Sequence, residues 1–386
     1  MTATTPSPRT SRSPLTVERI GDASDFAALR DEWRQLIQTS NADNLFLTWE
    51  WLWTWWKHQA WDRQLCILAV RSGKSLVGLA PCCLRSPSLS NGRPLPSMEF
   101  LGTGSVGSDY LDIIAGRGFE EESARAIVSH LATKRLMLRW TQLKRGTSLA
   151  AHVVSALDAL GWHTAETATN VCPFIPLADR TWESYVASLS ADQRYNYHRK
   201  WRRLERDCVV RLDLVKTAAE CRESIDLFIA LHNHRWRERG GSDAFHTPAL
   251  VEFHRDLSNL ALARGWLRLY VLRLDGKPAA GLYGFFYRRV FYFYQSGFAA
   301  AYRKQSVGLI TMGMAIRGAI EEGAEEFDLL HGSEEYKSHW SRDSRELSRL
   351  EAYPPGCLGR LCQSAVDLGR ASVKAARRVL PKGVFA

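Results

Sequence analysis

The strongest indication of the fold is the stretch LYVLRLDGKPAAGLYGFFY, residues 269–287, because it predicts a β-hairpin that occurs twice in the chain. Two alternating apolar runs flank a turn at Asp-Gly-Lys, which is the pattern of paired antiparallel strands. The stretch ILAVRSGKSLVGLAPCCLR, residues 67–85, has a turn at Ser-Gly-Lys and the same G-K-x-x-x-G-L spacing. The spacing falls on Gly73, Lys74, Gly78 and Leu79 in the first copy, and on Gly276, Lys277, Gly281 and Leu282 in the second.

The elements that follow each hairpin also recur. SDYLDIIA (108–115) predicts a strand, followed by a helix near 119–133 and a strand near 136–143. VFYFYQSG (290–297) predicts a strand, followed by a helix over about 306–322 and a strand over 325–330. An internal duplication accounts for this shared order. We predict an α/β (α+β) chain of two tandem halves, each a mixed, mostly antiparallel sheet flanked by helices.

Predicted boundaries follow from this organisation: a disordered tail over 1–14, an N-terminal half over 15–170, a C-terminal half over 171–355, and a basic amphipathic helix over 356–386. The chain has 386 residues, 45% of them hydrophobic and 24% charged, which is typical of a soluble globular protein. No run approaches the about 20 apolar residues of a membrane span, and the tail resembles neither a signal peptide nor an anchor. The eight cysteines form no C-x-x-C or Cys/His cluster, so we expect reduced thiols in a cytoplasmic protein and no metal site.

The net charge of +10 favours an anionic partner. One basic cluster lies in DQRYNYHRKWRRLERD, residues 192–207, and a second surrounds an apolar stripe over 358–382. A solvated helix face explains each cluster equally well. For the second cluster, a helix on an anionic membrane surface and a helix packed on the protein body both stay open.

The stretch RKQSVG, residues 303–308, joins the strand 290–297 to the next predicted helix. We predict Ser306 as the helix N-cap and Gly308 as a point of close backbone approach. Free N–H groups at a helix N-terminus suit a pyrophosphate. An ordinary capped helix is the alternative.

These motifs resemble the GNAT acyltransferase superfamily, in particular its CelD-like branch, which is related to FemAB. The GNAT loop [QR]-x-x-G-x-[GA] is matched at Arg303 and Gly308, with Ser306 in place of the first glycine. The branch's F-D-x-x-x-G and Y-K-x-x-W tail is matched by Phe327, Asp328, Gly332, Tyr336, Lys337 and Trp340. NLFLTWEWLWTWW (44–56) resembles its aromatic helix, and 194–206 its basic helix. The resemblance covers about residues 15–350.

The resemblance implies two GNAT-like halves and a set of site residues. Acetyl-CoA or another acyl-CoA would be the donor, without a metal, at Gln295, Ser296, Gly297, Arg303, Lys304, Gln305, Ser306, Val307 and Gly308. The backbone of 294–297 would supply the oxyanion donor, Tyr336 the general acid, and His331 or Glu335 the base. His232, His234, Trp236 and Asp328 would line the acceptor side. A half-buried core phenol and a solvent-facing loop are the alternatives for Tyr336 and for the two bases.

We therefore expect an acyl-CoA-dependent acyltransferase that acts on an amine or hydroxyl of a small molecule or saccharide, in exopolysaccharide or cellulose biosynthesis. It would work in the cytoplasm, with peripheral contact to the inner face of the membrane, and would not bind DNA. The alternatives are a FemAB-like transferase that uses aminoacyl-tRNA and a catalytically silent scaffold. We also expect no cofactor in the first half, where residues 114–119 offer Gly116 and Gly118 but lack the full loop spacing.

Overall fold

The computed structural model describes residues 14–88, 95–237, 244–332, 334–357 and 359–364, with the side chains of 235–237 excepted. Residues 1–13 of the predicted tail and residues 365–386 of the predicted C-terminal helix lie outside these ranges. Over the described ranges, no helix combines the length and apolarity that crossing a bilayer requires.

In the described part of the N-terminal half, three α-helices follow the first strand, six short strands follow these helices, and two helices then alternate with two longer strands. Its elements are β1 (Leu15–Ile20), α1 (Ala23–Ala28), α2 (Arg30–Gln38), α3 (Trp49–Gln59), β2 (Arg63–Leu65), β3 (Ile67–Ser72), β4 (Ser75–Ala80), β5 (Cys82–Arg85), β6 (Ser97–Phe100), β7 (Ile114–Ala115), α4 (Glu120–Ala132), β8 (Met137–Lys144), α5 (Leu149–Ala159) and β9 (His163–Pro176).

The C-terminal half has fewer strands over its described residues, and it contains a hairpin of its own. Its elements are α6 (Trp182–Ser188), α7 (Ala191–Asp207), β10 (Val210–Leu214), α8 (Ala218–Arg237), α9 (Pro248–Ala263), β11 (Leu267–Leu274), β12 (Lys277–Tyr287), β13 (Val290–Phe298), a 3-10 helix (Ala300–Gln305), α10 (Val307–Glu321), β14 (Glu326–Asp328), α11 (Glu335–Ser338) and β15 (Asp343–Tyr353).

The described strands form two sheets with helices packed on them. The smaller sheet has the order β1-β3-β4-β7, and the larger has the order β10-β11-β12-β13-β14-β9-β15-β8-β6-β5-β2. In each half an N-terminal strand, a hairpin and a fourth strand follow one another, as β1-β3-β4-β7 and as β10-β11-β12-β13. This order confirms the predicted fold class of two similar α/β halves.

The two halves exchange their last strands. Strand β9 ends the N-terminal half but pairs with β14 of the C-terminal half, while β15 ends the C-terminal half and pairs with β8. Between them, β9 and β15 pair with each other from Asp343↔Phe174 to Tyr353↔His163. Because these strands pair across the two halves, the halves share one continuous sheet. The predicted boundary at residue 170 falls inside β9.

Both predicted hairpins are present, but their turns lie one residue apart with respect to the G-K motif. In β3–β4 the closing pair is Ser72↔Ser75, so Gly73 and Lys74 form the turn. In β11–β12 the closing pair is Leu274↔Lys277, so Lys277 already belongs to the strand. The order of elements, rather than the shared G-K spacing, therefore supports the internal duplication.

The prediction of a strand over SDYLDIIA is wrong for most of its length. Only Ile114–Ala115 pairs as a strand, and the preceding residues form an irregular loop in which Tyr110 has a φ of +56°. The reason is that a carboxylate of this stretch binds the N-terminus of a helix. The carboxylate of Asp112 accepts hydrogen bonds from the N–H groups of Leu149 and Ala150, at 2.9 and 2.8 Å, and so caps α5.

The tryptophans of α3 join the halves. The Trp51 ring is fully buried and lies edge-on to Phe253, Phe285 and Tyr294 of the C-terminal half, with ring centroids 5.6, 5.7 and 5.8 Å away. Such edge-to-face contacts add to the stabilisation that comes from burying the rings. The aromatic helix predicted from the sequence is therefore part of the interface between the halves.

Candidate functional site

Strands β13 and β14 diverge and open the sheet. They pair in parallel only from Val290↔Glu326 to Tyr292↔Asp328. Just beyond, the register of β13 against β12 shifts, because Gly284 pairs with Phe293 and Tyr283 with Gln295. Tyr294 is therefore the extra residue of a β-bulge, which disrupts the ladder and bends the strand. The bulge and the short pairing leave an opening between the two strand ends.

A cavity of about 550 Å³ fills one side of this opening. We call it the loop cavity, because residues 303 and 306–308 line it. Strand β13 contributes Ser296 and Phe298, and α7 closes it with Gln193, Asn196 and Lys200. Helix α11 contributes Tyr336 to the same wall. The cavity thus lies at the junction of a diverging strand and a helix N-terminus.

Ser306 precedes α10 in the left-handed conformation, with φ +58° and ψ +33°. It occupies the N-cap position as predicted, but its side chain makes no capping hydrogen bond. The usual N-cap side-chain bond needs an extended backbone, which this residue does not have. Glycine adopts the left-handed region at least cost. The first glycine of the family motif corresponds to this position.

Gly308 faces open space in the loop cavity. Apart from the adjacent residues and the backbone of its own helix, a Cβ built on it would have Phe298 Cδ1, at 3.8 Å, as its one neighbour among the described atoms within 4 Å. In the first turn of α10, the N–H groups of Val307 and Gly308 have no acceptor within the helix. Together with the positive end of the helix dipole, they suit a phosphate group.

The predicted cofactor-binding residues divide among several places. Ser296, Arg303, Ser306, Val307 and Gly308 line the loop cavity. Lys304 and Gln305 line a neighbouring groove, and Gln295 lines a second cavity.

Gly297 lines none of these spaces, because α8 crosses β13 at this residue. A Cβ on Gly297 would lie 2.4 Å from the backbone nitrogen of His232. The close approach of α8 therefore requires a glycine here.

A basic groove of about 910 Å³ continues from the loop cavity and shares Lys200 and Ser306 with it. Its cationic lining consists of Arg199, Lys200, Arg202, Arg203, Arg206 and Lys304. Asp207 lies in the same groove and pairs with Arg206 at 2.9 Å and with Arg203 at 3.6 Å. Because one carboxylate faces six cations, the groove keeps a positive field that attracts phosphates.

A second cavity, of about 230 Å³, lies on the other side of the opening. We call it the histidine cavity, because His331 lines it. Tyr294 and Gln295 of β13, residues 105–107 of the N-terminal half and Tyr336 also contribute to its wall. Tyr336 therefore lines both cavities.

His331 is hydrogen-bonded to a buried carboxylate from the other half. Its Nδ1 lies 2.8 and 3.0 Å from the two carboxylate oxygens of Asp109, and its backbone N–H donates to Asp109 Oδ2 at 2.9 Å. The side chain of Asp109 is fully buried, whereas that of His331 is half-buried. Burial of the ring lowers the pKa of His331, but the Asp109 carboxylate outweighs this effect and the net pKa is raised.

Three aromatic side chains hold the loop that carries Asp109. The indole N–H of Trp51 donates to Ser108 Oγ at 2.8 Å, and that of Trp55 donates to the Thr103 carbonyl at 3.1 Å. From β13, the Tyr294 hydroxyl donates to the Val106 carbonyl. The aromatic helix α3 and the bulged strand thus fix the position of the loop.

The Y-K-x-x-W motif places three side chains in three different environments. Tyr336 is half-buried between the cavities. Lys337 is buried, and its Nζ donates to the carbonyl of His331 at 2.6 Å and to that of Leu330 at 3.2 Å. The buried Trp340 ring packs edge-on against Tyr197 of α7, at 5.6 Å. Lys337 therefore stabilises the turn that presents His331.

Asp328 is fully buried and lines none of the cavities described above. It accepts a hydrogen bond from the N–H of Leu330 at 2.8 Å, and Arg345 Nη1 lies 3.5 Å from its second oxygen. Burial raises its pKa to about 7, although Arg345 acts in the opposite direction. These contacts shape the turn before His331, so Asp328 holds the chain in place instead of facing a substrate.

The remaining predicted residues are also dispersed. His232 is fully buried with its ring 4.8 Å from that of Phe245, and His234 is exposed. The side chain of Trp236 lies outside the described residues. Glu335 is exposed and lines the loop cavity, whereas His331 lines the histidine cavity. The structure therefore brings His331 and Tyr336 together and separates Glu335 from the histidine cavity.

The corresponding junction in the N-terminal half has a different charge. Helix α4 begins after Phe119 with Glu120, Glu121 and Glu122 in its first turn. The carboxylate of Glu120 accepts a hydrogen bond from the N–H of Gly118 at 2.6 Å. Three carboxylates at a helix N-terminus repel a pyrophosphate. The absence of a cofactor in this half stays a prediction, and the acidic turn gives a physical reason for it.

Residues 191–338 match the family model described as an acetyltransferase (GNAT) domain. This GNAT segment contains β13, the loop 303–308, α10, His331 and Tyr336. No curated protein matches the chain in sequence. The CelD-like branch therefore stays a prediction.

Two solved structures show the same fold over most of the chain. FemX has a TM-score of 0.58 at 12% identity, over 83% of this chain and 95% of its own. The C-terminal domain of an Agrobacterium fabrum protein described as a lysylphosphatidylglycerol synthetase has a TM-score of 0.52 at 11% identity, over 90% of this chain and 96% of its own. At these identities the likeness concerns the fold alone, and it extends beyond the GNAT segment into the N-terminal half.

Proposed function

We propose that this chain is an acyltransferase that moves an acyl group from acyl-CoA to an amine or hydroxyl of a second substrate. One observation carries the proposal: Tyr336 lines both the loop cavity, which has a helix N-terminus for phosphates, and the histidine cavity, which has a hydrogen-bonded imidazole. A donor on one side and an acceptor on the other would meet at this phenol.

The residues suggest a role for each side of the opening. The N–H groups of Val307 and Gly308 would bind the pyrophosphate, and the basic groove would receive the phosphorylated adenosine. The backbone of β13 around the Tyr294 bulge would donate to the oxygen that becomes negative when the thioester is attacked. The Tyr336 hydroxyl would give its proton to the departing thiolate.

The proposal also covers the identity of the two substrates. We propose acetyl as the acyl group and a saccharide of exopolysaccharide or cellulose biosynthesis as the acceptor, in line with the CelD-like tail at Phe327, Asp328 and Tyr336. The work would take place in the cytoplasm, with the basic segment 356–386 at the inner face of the membrane.

A second candidate is an aminoacyl transferase that uses charged tRNA. The basic groove favours it, because its six cations, five on α7 and Lys304, exceed what the single 3′-phosphate of CoA needs. A nucleic acid backbone would neutralise more of them. The groove also leads directly into the loop cavity, where the aminoacylated 3′ end of the tRNA would enter.

Thermal-shift measurements against acetyl-CoA, longer acyl-CoAs and tRNA separate these candidates, because a ligand that binds the folded state raises the melting temperature by mass action. We expect an acyl-CoA to give the largest shift and an assay of CoA release to show turnover. Stabilisation by tRNA alone, lost on adding salt, would favour the aminoacyl transferase. No shift with any of them would leave the silent scaffold as the explanation.

A further inference from the structure

We propose that Asp109 and His331 form a composite catalytic pair, in which His331 is the general base for the acceptor and Asp109, from the other half of the chain, positions it. This inference rests on the proposed acyl transfer and adds a residue from outside the GNAT segment. Asp109 lies in the N-terminal loop 101–112, and His331 lies five residues before Tyr336.

The hydrogen bonds fix which ring nitrogen is available. Asp109 accepts from both Nδ1 and the backbone N–H of His331, so the ring and its peptide are held together. With its proton on Nδ1, the neutral imidazole keeps the lone pair on Nε2. Asp109 is itself fixed, because Gln142 Nε2 donates to its Oδ1 at 3.0 Å. A base oriented by a third group is the usual arrangement for proton abstraction.

The surroundings place this imidazole where an acceptor would enter. His331 and Tyr336 line the same cavity of about 230 Å³. Gly107, with φ +68°, lies against the ring, since a Cβ built on it would be 3.4 Å from His331 Cε1. The charged groups that act on His331 are Asp109 and Glu334, which favour the imidazolium, and Lys337, which opposes it. The tyrosines that share the cavity wall are Tyr294 and Tyr336.

The transfer balances with these two side chains. His331 Nε2 takes the proton from the acceptor nitrogen or oxygen while that atom bonds to the thioester carbonyl carbon. The C–S bond then breaks, and Tyr336 gives its proton to the sulfur. The imidazolium proton returns to the phenolate through solvent, so the products are an amide or ester and free CoA.

A second His–Asp pair in the chain serves as a matched control. His58 Nε2 of α3 lies 2.9 Å from Asp256 Oδ2 of α9, so it also joins the two halves, but it lines none of the cavities described here. A purely structural role for Asp109–His331 would make the two pairs equivalent.

The test compares His331→Asn, Asp109→Asn and His58→Asn by CoA release from acetyl-CoA, with D-glucosamine or water as the acceptor probe, between pH 5.5 and 9. Asparagine at 331 keeps an N–H near the position of Nδ1 but lacks Nε2. We expect kcat to fall by about 10²-fold or more with an unchanged Kd for acetyl-CoA. The His58→Asn variant should keep the parent kcat.

The pH profile separates positioning from structural support. Asp109 favours the imidazolium, so Asp109→Asn should lower the pKa of His331 and move the ascending limb of kcat to lower pH, with a lower plateau. Loss of melting temperature and kcat without movement of the limb would overturn the role of Asp109. Parent activity in His331→Asn would overturn the role of the pair. No CoA release by the parent protein would instead overturn the proposed acyl transfer itself.

Discussion

The phenol ring of Tyr336 lies 6.3 Å from the ring of Phe293, centroid to centroid, and the two meet nearly edge-on across the opening between β13 and the segment after β14. Phe293 is buried in β13, whereas Tyr336 is half-buried and reaches the loop cavity and the histidine cavity. The ring contact orients the hydroxyl without using it. Packing and chemistry are therefore separable at this residue.

Replacing Tyr336 by phenylalanine tests that separation. The variant keeps the ring and its contact with Phe293 but has no proton for the leaving thiolate. We expect kcat for CoA release to fall by about 10²-fold or more, while the Kd for acetyl-CoA from titration calorimetry stays that of the parent. Parent-like turnover would remove Tyr336 from the acid role.

Substitutions of Gly308 and Gly313, both in α10, should have different effects, the first on donor binding and the second on stability. A Cβ on Gly308 meets open space, so Gly308→Asp should fold normally and lose donor binding, since its carboxylate would lie where the phosphates approach. A Cβ on Gly313 would lie 2.4 Å from the Tyr197 ring of α7, so Gly313→Ala should lower stability by about 1–3 kcal/mol. Denaturant unfolding and acetyl-CoA titration measure the two effects.

Gly308→Ala is the control for charge, because it adds the Cβ without the carboxylate. It should bind acetyl-CoA more tightly than Gly308→Asp. Equal binding by Gly308→Asp and the parent protein would show that the loop cavity does not hold the phosphates.

The cations of the basic groove predict a dependence on the 3′-phosphate of the donor. Lys200→Ala combined with Lys304→Ala should raise the KM for acetyl-CoA by about 5-fold, since exposed charges contribute modestly. The KM for acetyl-3′-dephospho-CoA should change less. Arg255→Ala of α9 removes a cation that pairs with Asp226 at 2.8 Å outside the cavities described here, and it should have no effect. Equal changes for both donors would place the adenosine elsewhere.

Asp328 predicts a specific pH dependence of stability. Its pKa is raised to about 7 by burial, from an ordinary value of 3.8. Between these values the folded state binds the extra proton, so this group makes the free energy of unfolding fall as the pH rises from about 4 to 7. In Asp328→Asn this contribution is absent. The free energy of unfolding of the variant minus that of the parent should therefore be larger at pH 8 than at pH 5, by on the order of 2 kcal/mol.

Denaturant unfolding at the two pH values measures this difference, and the parent protein supplies the reference at each pH. A stability difference that is the same at pH 5 and pH 8 would contradict a raised pKa at Asp328.

The fold could be predicted from the sequence wherever the pattern is local. The alternation in 269–287 gave β11 and β12, and the apolar stripe after Ser306 gave α10 to within a residue or two. The strand exchange of β9 and β15 could not be predicted, because its pairs join residues far apart in sequence. The apolar pattern of a strand does not indicate which other strand it pairs with. A boundary drawn between two separate halves therefore fell inside β9.

Part of the lining of the loop cavity was predictable for the same reason, since Arg303, Ser306, Val307 and Gly308 belong to the one continuous stretch RKQSVG. The pairing of Asp109 with His331 was not, because it joins residues from different halves. A signal did exist. Asp109 and Asp112 lie three residues apart, so in a regular strand they would point to opposite faces, and one charge would enter the core. That conflict favours a loop, which is what SDYLDIIA mostly forms.

The most direct measurement is a crystal structure with a non-transferable acetyl-CoA analogue in which a methylene group replaces the thioester sulfur. We expect one analogue per chain, with its pyrophosphate hydrogen-bonded to the N–H groups of Val307 and Gly308 and its acyl end beside Tyr336. The acidic first turn of α4 should hold none. A pyrophosphate bound away from Val307 and Gly308, or an acyl end remote from Tyr336, would contradict the assignment of the loop cavity as the donor site.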